Sequence, residues 1–290
     1  MPESGEECCS DASSGRAERS SLLSAATTIG SGVLQLAPNA PDAVAARVRA
    51  GQVLVAGVVA VCFARLVLAL VAHAASVAVL AGMGASDPHE EAARWFTVTG
   101  TFVDLGTLAL LWILLRREGL SLADLFRGRR DRSIGRSLAW APVYLVGLGV
   151  VGFAAGALAG LVIYGDTSPR PPTAAGLPLW AGLYSTLVWP LVWGFTEQAA
   201  YNGYAVPRVE ALSRSRWALA IVCVGWASQH VALPFRPDLA HAAYRLLPSL
   251  AVAVGAVAIY LRTRDLLGLS IAHWVIDAAT GALTLAPPPG

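Results

Sequence analysis

Glu197, His230, His273 and Asp277 are ionisable residues inside apolar stretches of the chain. An ionisable group in the middle of a bilayer is costly to bury, so such groups are rare and usually serve a function. A carboxylate can take a proton from water, and an imidazole can hold that water or donate to a developing oxyanion. These residue types indicate a functional polar site that is equipped for hydrolysis.

The spacing of these residues predicts that they meet. Counted from the nearest arginine at about 1.5 Å per helical residue, all of them lie roughly 14–21 Å deep and so form one layer. Residues four positions apart share a helix face. The pairs at this spacing are His273 with Asp277, Trp226 with His230, Glu197 with Tyr201, and Gln198 with Asn202. We expect the ionisable side chains to converge around one polar cavity near the middle of the membrane.

Three further polar residues, Arg65, His73 and Asp104, lie in the first two apolar stretches. Opposite charges on neighbouring helices favour an ion pair between Arg65 and Asp104, because each charge alone would be costly in lipid. His73 lies far enough along its stretch to approach the outer interface. We expect a structural role for all three residues.

The composition shows which elements must position the site. Of the 290 residues, 56% are hydrophobic and 14% are charged, and the mean hydropathy is +0.58. Soluble globular chains carry about 25% charged residues, so an ordinary cytosolic domain, a disordered chain, a coiled coil and a nucleic-acid binder are excluded. A membrane-spanning helix needs about 20 mostly apolar residues. The stretches that qualify are 53–82, 95–115, 138–163, 178–203, 217–235, 246–261 and 266–286.

The arginines predict the orientation, since positive residues collect in cytoplasmic loops. All 21 basic residues are Arg, and with the N-terminus inside sixteen fall on the cytoplasmic side and four on the other. We predict an all-α, polytopic membrane helical bundle of about seven transmembrane helices, N-in, in a bacterial cytoplasmic membrane. Residues 1–50 are expected to be a mostly disordered cytoplasmic tail, and residues 51–286 the membrane-embedded domain.

Three motifs within residues 175–285 resemble those of the CPBP family, the CAAX proteases and bacteriocin-processing enzymes also called Abi. The family shows Glu-Glu-x-x-x-Arg, then Phe-x-x-x-His, then His-x-x-x-Asn or Asp, on successive helices. This chain has Glu197-Gln198-Ala199-Ala200-Tyr201-Asn202, then Trp226-Ala227-Ser228-Gln229-His230, then His273-Trp274-Val275-Ile276-Asp277.

The resemblance implies an intramembrane endopeptidase. By the family pattern, Glu197 and His230 activate the attacking water, while His273 and Asp277 help to hold the oxyanion. From the groups themselves, we expect Asp277 to accept from one ring nitrogen of His273 and to aim the other nitrogen as a donor. The supporting residues predicted for this site are Gln198, Tyr201, Asn202 and Trp226.

The motifs depart from the family at three positions. Gln198 stands where the family has its second Glu, Asn202 replaces the Arg, and Trp226 replaces the Phe. Gln198 and Asn202 are expected to form a neutral hydrogen-bonded pair at i and i+4, which compensates for the loss of both charges.

Two alternatives stay open. No cofactor is favoured, but a divalent metal such as zinc, held by Glu197, His230, His273 and Asp277, is the alternative to a metal-free glutamate mechanism. The alternative to an active enzyme is a weakened or inactive family member that acts as a membrane scaffold, immunity or regulatory protein. A proton-relay transporter is less favoured, because the chain shows no repeated halves.

We therefore predict an endopeptidase with the lipid bilayer and a peptide or lipidated protein substrate as partners, and no nucleic acid. The expected substrate is a membrane-associated peptide of the prenylated CAAX type, or a small secreted or bacteriocin-like peptide. We expect it to enter from the cytoplasmic half of the site.

Overall fold

The apolar stretches fold into helices, because a backbone in lipid must satisfy its own hydrogen bonds. The computed structural model describes residues 37–127, 133–167, 177–213 and 215–285, and these contain helices and turns but no β-strand. The α-helices in chain order are α1 (Pro41–Arg49), α2 (Val55–Gly82), α3 (Pro88–Arg94), α4 (Phe96–Arg117), α5 (Leu122–Leu125), α6 (Ile134–Tyr164), α7 (Leu179–Leu183), α8 (Trp189–Gln198), α9 (Val206–Leu212), α10 (Ala220–Gln229), α11 (Leu239–Thr263) and α12 (Leu266–Leu285). Helical turns of other types join some of them: π-helical Tyr184–Val188 and Ala199–Ala205, and 3-10 Arg216–Leu219.

Helices α2, α4, α6 and α11 are long and apolar enough to cross a bilayer. Large apolar side chains on these helices face outward, such as Phe102, Phe153 and Val162 with exposed fractions of 67%, 79% and 74%. Soluble monomers rarely expose contiguous apolar surface on this scale. The predicted all-α membrane bundle is confirmed, and the count of seven spans stays a prediction.

The predicted span 178–203 is an interrupted helix that continues to Leu212. Pro190 and Pro207 each lack the N–H group that would bond to the carbonyl four residues earlier. Each proline follows a π-helical turn, which widens the helix at that point. Turns of this kind are frequent at functional sites, and the second one begins directly after Gln198 of the first motif.

The predicted span 217–235 is too long. Helix α10 ends at Gln229, so His230 caps the helix instead of lying in its interior. Pro234 and Pro237 keep the rest of the predicted span from being helical, because the residue before a proline avoids the helical conformation.

Ion pairs define one end of the bundle, which we call the arginine-rich end. Glu118 lies 3.4 Å from Arg47 and 2.5 Å from Arg208, and Arg264 binds Glu210 at 2.7 Å. All five residues come from segments that the arginine pattern assigns to the cytoplasmic side. The alternation of the helices therefore brings these segments together, as the predicted topology requires.

The opposite end carries a different set of polar contacts. Arg236 binds Glu90 at 2.7 Å, and Nε2 of His73 lies 3.3 Å from Nδ1 of His89. His73 thus lies close to α3, the short helix that follows its own helix, as its position in the first apolar stretch predicted.

The main apolar core fills the arginine-rich half of the bundle. Leu125, Tyr204, Tyr260 and Leu266 are at most 2% exposed and belong to this core. Toward the opposite end, a smaller cluster forms around the indole rings of α8. The two halves therefore differ in how completely they are packed.

The structure corrects the last part of the predicted N-terminal tail. Within residues 1–50, expected to be mostly disordered, helix α1 is ordered and its Val44 is fully buried. Asn39 is also buried, and its amide donates to the carbonyl of Gly203 at 2.8 Å. These contacts anchor the segment to the bundle. Residues 1–36 lie outside the described residues.

Candidate active site

Glu197 is completely buried in α8. Its Oε1 accepts hydrogen bonds from the indole N–H of Trp226 and from Nε2 of Gln229, the latter at 2.7 Å. Nε2 of His230 lies 3.5 Å from the same oxygen. Oε2 has no hydrogen-bond partner among the described residues. One carboxylate oxygen is thus held by α10, and the other is left as an acceptor.

His230 lies at the end of α10, with 21% of its side chain exposed against 0% for Glu197. Arg245 of α11 holds this turn: its Nε donates to the carbonyl of His230 at 3.2 Å and its Nη2 to that of Leu233 at 2.7 Å. A basic side chain that binds the free carbonyls at a helix C-terminus stabilises that end. Arg245 therefore fixes the backbone that presents the imidazole.

A chain of hydrogen bonds determines which ring nitrogen of His273 carries the proton. Nδ2 of Asn202 donates to Oε1 of Gln198 at 2.7 Å, so the Gln198 oxygen is already used. The NH₂ group of Gln198 faces Nδ1 of His273 at 3.1 Å. Nδ1 therefore accepts, and the neutral ring carries its proton on Nε2.

The roles of the two ring nitrogens differ from those expected for His273. Nε2 lies 3.4 Å from Oδ2 of Asp277, as expected for that pair at i and i+4. The other ring nitrogen does not donate into the site, because Gln198 occupies it. The donor available to a substrate is the Nε2 proton on the Asp277 side.

Arg65 and Asp104 form the predicted ion pair, with Nη1 donating to Oδ1 at 2.9 Å. Both side chains are fully buried, and the guanidinium also lies 4.0 Å from the ring centroid of Trp193. Nε of Arg65 donates to Oε1 of Gln229 at 2.5 Å. Because the Gln229 oxygen faces Arg65, its NH₂ group faces Glu197. Arg65 thus orients a donor to the buried carboxylate.

Two glycines allow the helices of the site to approach closely. A Cβ at Gly194 would lie 3.0 Å from the backbone nitrogen of Trp274, so α8 and α12 meet backbone to backbone. A Cβ at Gly225 would collide with the carbonyl of Cys62, where α10 meets α2. Larger residues at either position would separate the helices that carry the polar side chains.

The aromatic residues of the motifs pack behind the polar groups. Tyr201 was expected to share a helix face with Glu197, and it stacks on Trp226 with ring centroids 5.3 Å apart and an interplanar angle of 5°. Its hydroxyl donates to the carbonyl of Gly225 at 3.4 Å. The stack fixes the indole whose N–H binds Glu197.

A cavity of about 490 Å³ adjoins these groups. This volume lies within the range of about 300–1,000 Å³ that is typical of ligand sites. The site residues that line it are Gln198, Trp226, His230, His273 and Asp277. Glu197 is not part of the lining and stands behind His230 and Trp226. Aromatic side chains such as Phe96, Trp189 and Trp193 make much of the remaining wall apolar.

The cavity lies in the half of the bundle opposite the arginine-rich end. Its lining includes Phe96 and Thr97 at the start of α4, and Thr280 and Gly281, which follow the last motif in α12. We expected the substrate to enter from the arginine-rich half, but the main core fills that half. This cavity does not reach that half, and the expected route stays a prediction.

The candidate metal ligands form two separate pairs. Among the described residues, no group of three or more His, Cys, Asp and Glu side chains is arranged to hold an ion. Glu197 pairs with His230, and His273 pairs separately with Asp277. We therefore assign no step of hydrolysis to a zinc ion.

The structure brings all the predicted site residues to one region and adds one that the sequence interpretation missed. Gln229 is fully buried and joins Arg65 to Glu197. An amide directly before His230, inside an apolar stretch, was the available signal.

A family model described as Type II CAAX prenyl endopeptidase Rce1-like matches residues 178–279. The matched segment contains all three motifs, from Glu197 to Asp277. No curated protein and no solved structure matches the chain. Over residues 178–279 the chain is similar to the Rce1-like type II CAAX prenyl endopeptidases, and this confirms the resemblance that the motifs indicated.

Proposed function

We propose that this protein is a membrane-embedded endopeptidase that hydrolyses a peptide bond with water activated by Glu197. The observation that carries the proposal is the meeting of two polar pairs beside one cavity. Glu197 and His230 form the first pair, and His273 and Asp277 form the second. The family match supports a protease of the CAAX type for the segment that contains them.

Glu197 is the general base in this proposal. Its Oε1 is held by donors from α10, so Oε2 is the oxygen that takes the proton from water. His230 stands between the carboxylate and the cavity and holds the water for attack. As the water oxygen bonds to the substrate carbonyl carbon, its proton passes by way of the His230 ring to Glu197, because His230 lines the cavity and Glu197 does not.

His273 then stabilises the tetrahedral intermediate. The hydrogen bonds from Asn202 through Gln198 keep the ring proton on Nε2, which donates to the oxyanion. Asp277 lies 3.4 Å from the same nitrogen and orients the ring. When the carbon–nitrogen bond breaks, Glu197 returns its proton to the leaving amine.

A cleavage assay on the purified protein tests the proposal. A panel of prenylated and unprenylated peptides is incubated with the wild type, with and without a chelator, and the products are identified by mass spectrometry. A positioned general base contributes about 10²–10⁴-fold, so Glu197→Gln should lower kcat by that factor and leave the fold intact. The matched control is Glu90→Gln, a carboxylate that pairs with Arg236, does not line the cavity and has 47% of its side chain exposed.

Three results would contradict the mechanism. A kcat of Glu197→Gln within a few-fold of the wild-type kcat would show that Glu197 is not the general base. Loss of activity in the presence of the chelator would show that hydrolysis needs a metal ion, which contradicts the metal-free mechanism. No cleavage of any peptide by the wild type would favour a non-catalytic scaffold, immunity or regulatory protein, for which the neutral Gln198 and Asn202 are the supporting observation.

A further inference from the structure

Every helix that lines the cavity contributes residues on the same side of the catalytic layer. Helix α12 supplies Asp277 and Thr280 but nothing before His273. Helix α11 supplies Arg245 to Val252 from its first half. The first turn of α4 and the middle of α6 complete the wall. The cavity therefore extends from the site in one direction only.

The direction is away from the arginine-rich end. On that side, directly below the site, Tyr201 and Tyr204 are fully buried, and Tyr260 and Leu269 close the space between the helices. The side that the cavity reaches is the end where Arg236 binds Glu90. A peptide therefore has a path to His230 from this end and none through the core.

The arginine pattern assigns a side of the membrane to each end. Cytoplasmic segments collect positive charge, and sixteen arginines belong to the arginine-rich side against four on the other. The contacts of Glu118 with Arg47 and Arg208 show that these segments do come together. The cavity end is then the extracytoplasmic end.

From this we infer that the substrate is a peptide presented from the extracytoplasmic side, such as the apolar segment of a translocated chain, and not a prenylated tail in the cytoplasm. The inference rests on the proposed function for hydrolysis, but the access route does not depend on it. The apolar wall around Trp189, Trp193 and Phe96 suits apolar side chains of such a segment. Arg245 is the cationic residue of the wall.

Thiol labelling tests the access route without any need for turnover. The full-length chain carries Cys8→Ser and Cys9→Ser, while Cys62 and Cys223 are buried and stay. Single cysteines are introduced at Ser249 in the cavity wall, at Ser86 in the exposed turn before α3, and at the exposed Ala123 of α5. Each protein is treated with a membrane-impermeant thiol reagent in right-side-out and in inverted vesicles.

We expect Ser249→Cys and Ser86→Cys to react at least ten times faster in right-side-out vesicles than in inverted ones. Ala123→Cys should show the reverse. Thr280→Cys provides a second cavity position should Ser249→Cys fold poorly. Reaction of the cavity cysteine only in inverted vesicles, or in neither preparation, overturns the route. Ser86→Cys reacting only in inverted vesicles overturns the orientation and with it the substrate class.

A peptide assay in the same vesicles separates access from catalysis. An apolar, unprenylated, fluorescence-quenched peptide added outside should be hydrolysed at least ten times faster by right-side-out vesicles. Hydrolysis of a prenylated peptide by inverted vesicles alone would overturn the inferred substrate class. Glu197→Gln should keep the labelling pattern and lose hydrolysis. If the cysteines are labelled as expected but neither preparation hydrolyses the peptide, the proposed function is contradicted and the access route is still supported.

Discussion

Two arginines, Arg65 and Arg208, are fully buried in this protein, and each is paired with a carboxylate. Arg208 donates through Nε and Nη2 to both oxygens of Glu118, and through Nη1 to Asn39 and to the carbonyl of Tyr204. Its partners come from segments that are far apart in the chain. The cluster therefore ties the arginine-rich end together and has no link to the polar site.

Arg65 uses the same chemistry in a different setting. One donor binds Asp104, and another binds Gln229, whose amide in turn donates to Glu197. A buried ion pair is weak evidence of stabilisation by itself, because desolvation offsets the attraction. What distinguishes the two clusters is their neighbours: one joins elements of the fold, and the other holds the proposed base.

The largest expected effect is on stability, from Arg208→Met. The change leaves Glu118 buried with only Arg47 at 3.4 Å, and removal of one partner of a buried pair costs about 3–5 kcal/mol. Thermal unfolding in detergent should show this loss, while the kcat of the folded fraction stays near the wild type. The double variant Glu118→Met/Arg208→Met should recover most of the stability. Equal stability of the single variant and the wild type would show that the cluster does not tie the fold.

The second expected effect concerns the neutral pair of the first motif. Gln198→Glu places a buried charge beside His273 and should lower stability by about 3 kcal/mol. It should also move the ring proton to Nδ1, which nitrogen NMR of labelled histidine would detect. Adding Asn202→Arg restores the charges of the family motif and should return at least half of the lost stability. Independent, additive effects of the two changes would show that positions 198 and 202 are not coupled.

Some of this arrangement follows from the sequence and some does not. The apolar runs that became α2 and α12 are long and contain no proline, so their helices could be predicted. Spacing of four residues correctly paired Gln198 with Asn202 and His273 with Asp277, because that rule acts within one helix.

Contacts between distant helices were harder to predict. The link from Arg65 through Gln229 to Glu197 joins three helices, and only their packing decides which way the Gln229 amide turns. The burial of Arg208 was missed for the same reason, since a basic residue after an apolar stretch is typical of a cytoplasmic loop. The half of the bundle that holds the cavity also depends on how side chains fill space, which spacing does not encode.

The third prediction tests whether the Arg65 cluster acts on the site. Gln229→Met keeps the size of the side chain and removes its donor to Glu197 and its acceptor for Arg65. Loss of positioning of the base should lower kcat by about 10- to 100-fold and leave KM near the wild type. Steady-state kinetics on a cleaved peptide give both values.

Ser228→Ala is the matched control for Gln229→Met. Ser228 is the neighbour of Gln229, and its hydroxyl donates only to the carbonyl of Gly225 at 2.8 Å. It should change kcat less than three-fold. If Gln229 has a purely structural role, Gln229→Met should instead lower the melting temperature while the folded protein keeps its kcat. That outcome would show that the Arg65 cluster, like the Arg208 cluster, serves the fold alone.

The smallest expected effect lies in α5, beside the Arg208 cluster, at Asp124, whose side chain is 15% exposed. Asp124 accepts hydrogen bonds from the backbone N–H of Ser121 at 2.9 Å and from its hydroxyl at 2.7 Å, and Arg127 lies 3.1 Å away. The backbone N–H of Ser121 is the main cause that lowers the pKa of Asp124 below its usual value, with the hydroxyl and Arg127 adding to it. The carboxylate form is therefore favoured by the fold.

The sign of the pH dependence comes from this lowered pKa. The contribution of the Asp124 carboxylate to the free energy of unfolding is fully present above the ordinary aspartate pKa of about 3.9. It is lost as the pH falls through the lower pKa of the folded state. Asp124→Asn should cost about 1 kcal/mol or less at pH 7, as for other helix caps, and less at pH 2.5. Unfolding in detergent at both values measures the difference. A stability difference between wild type and variant that stays constant down to pH 2.5 would contradict the role of the charge. A difference that narrows shows that this partly exposed cap acts by charge and contributes less than the buried Arg208 cluster next to it.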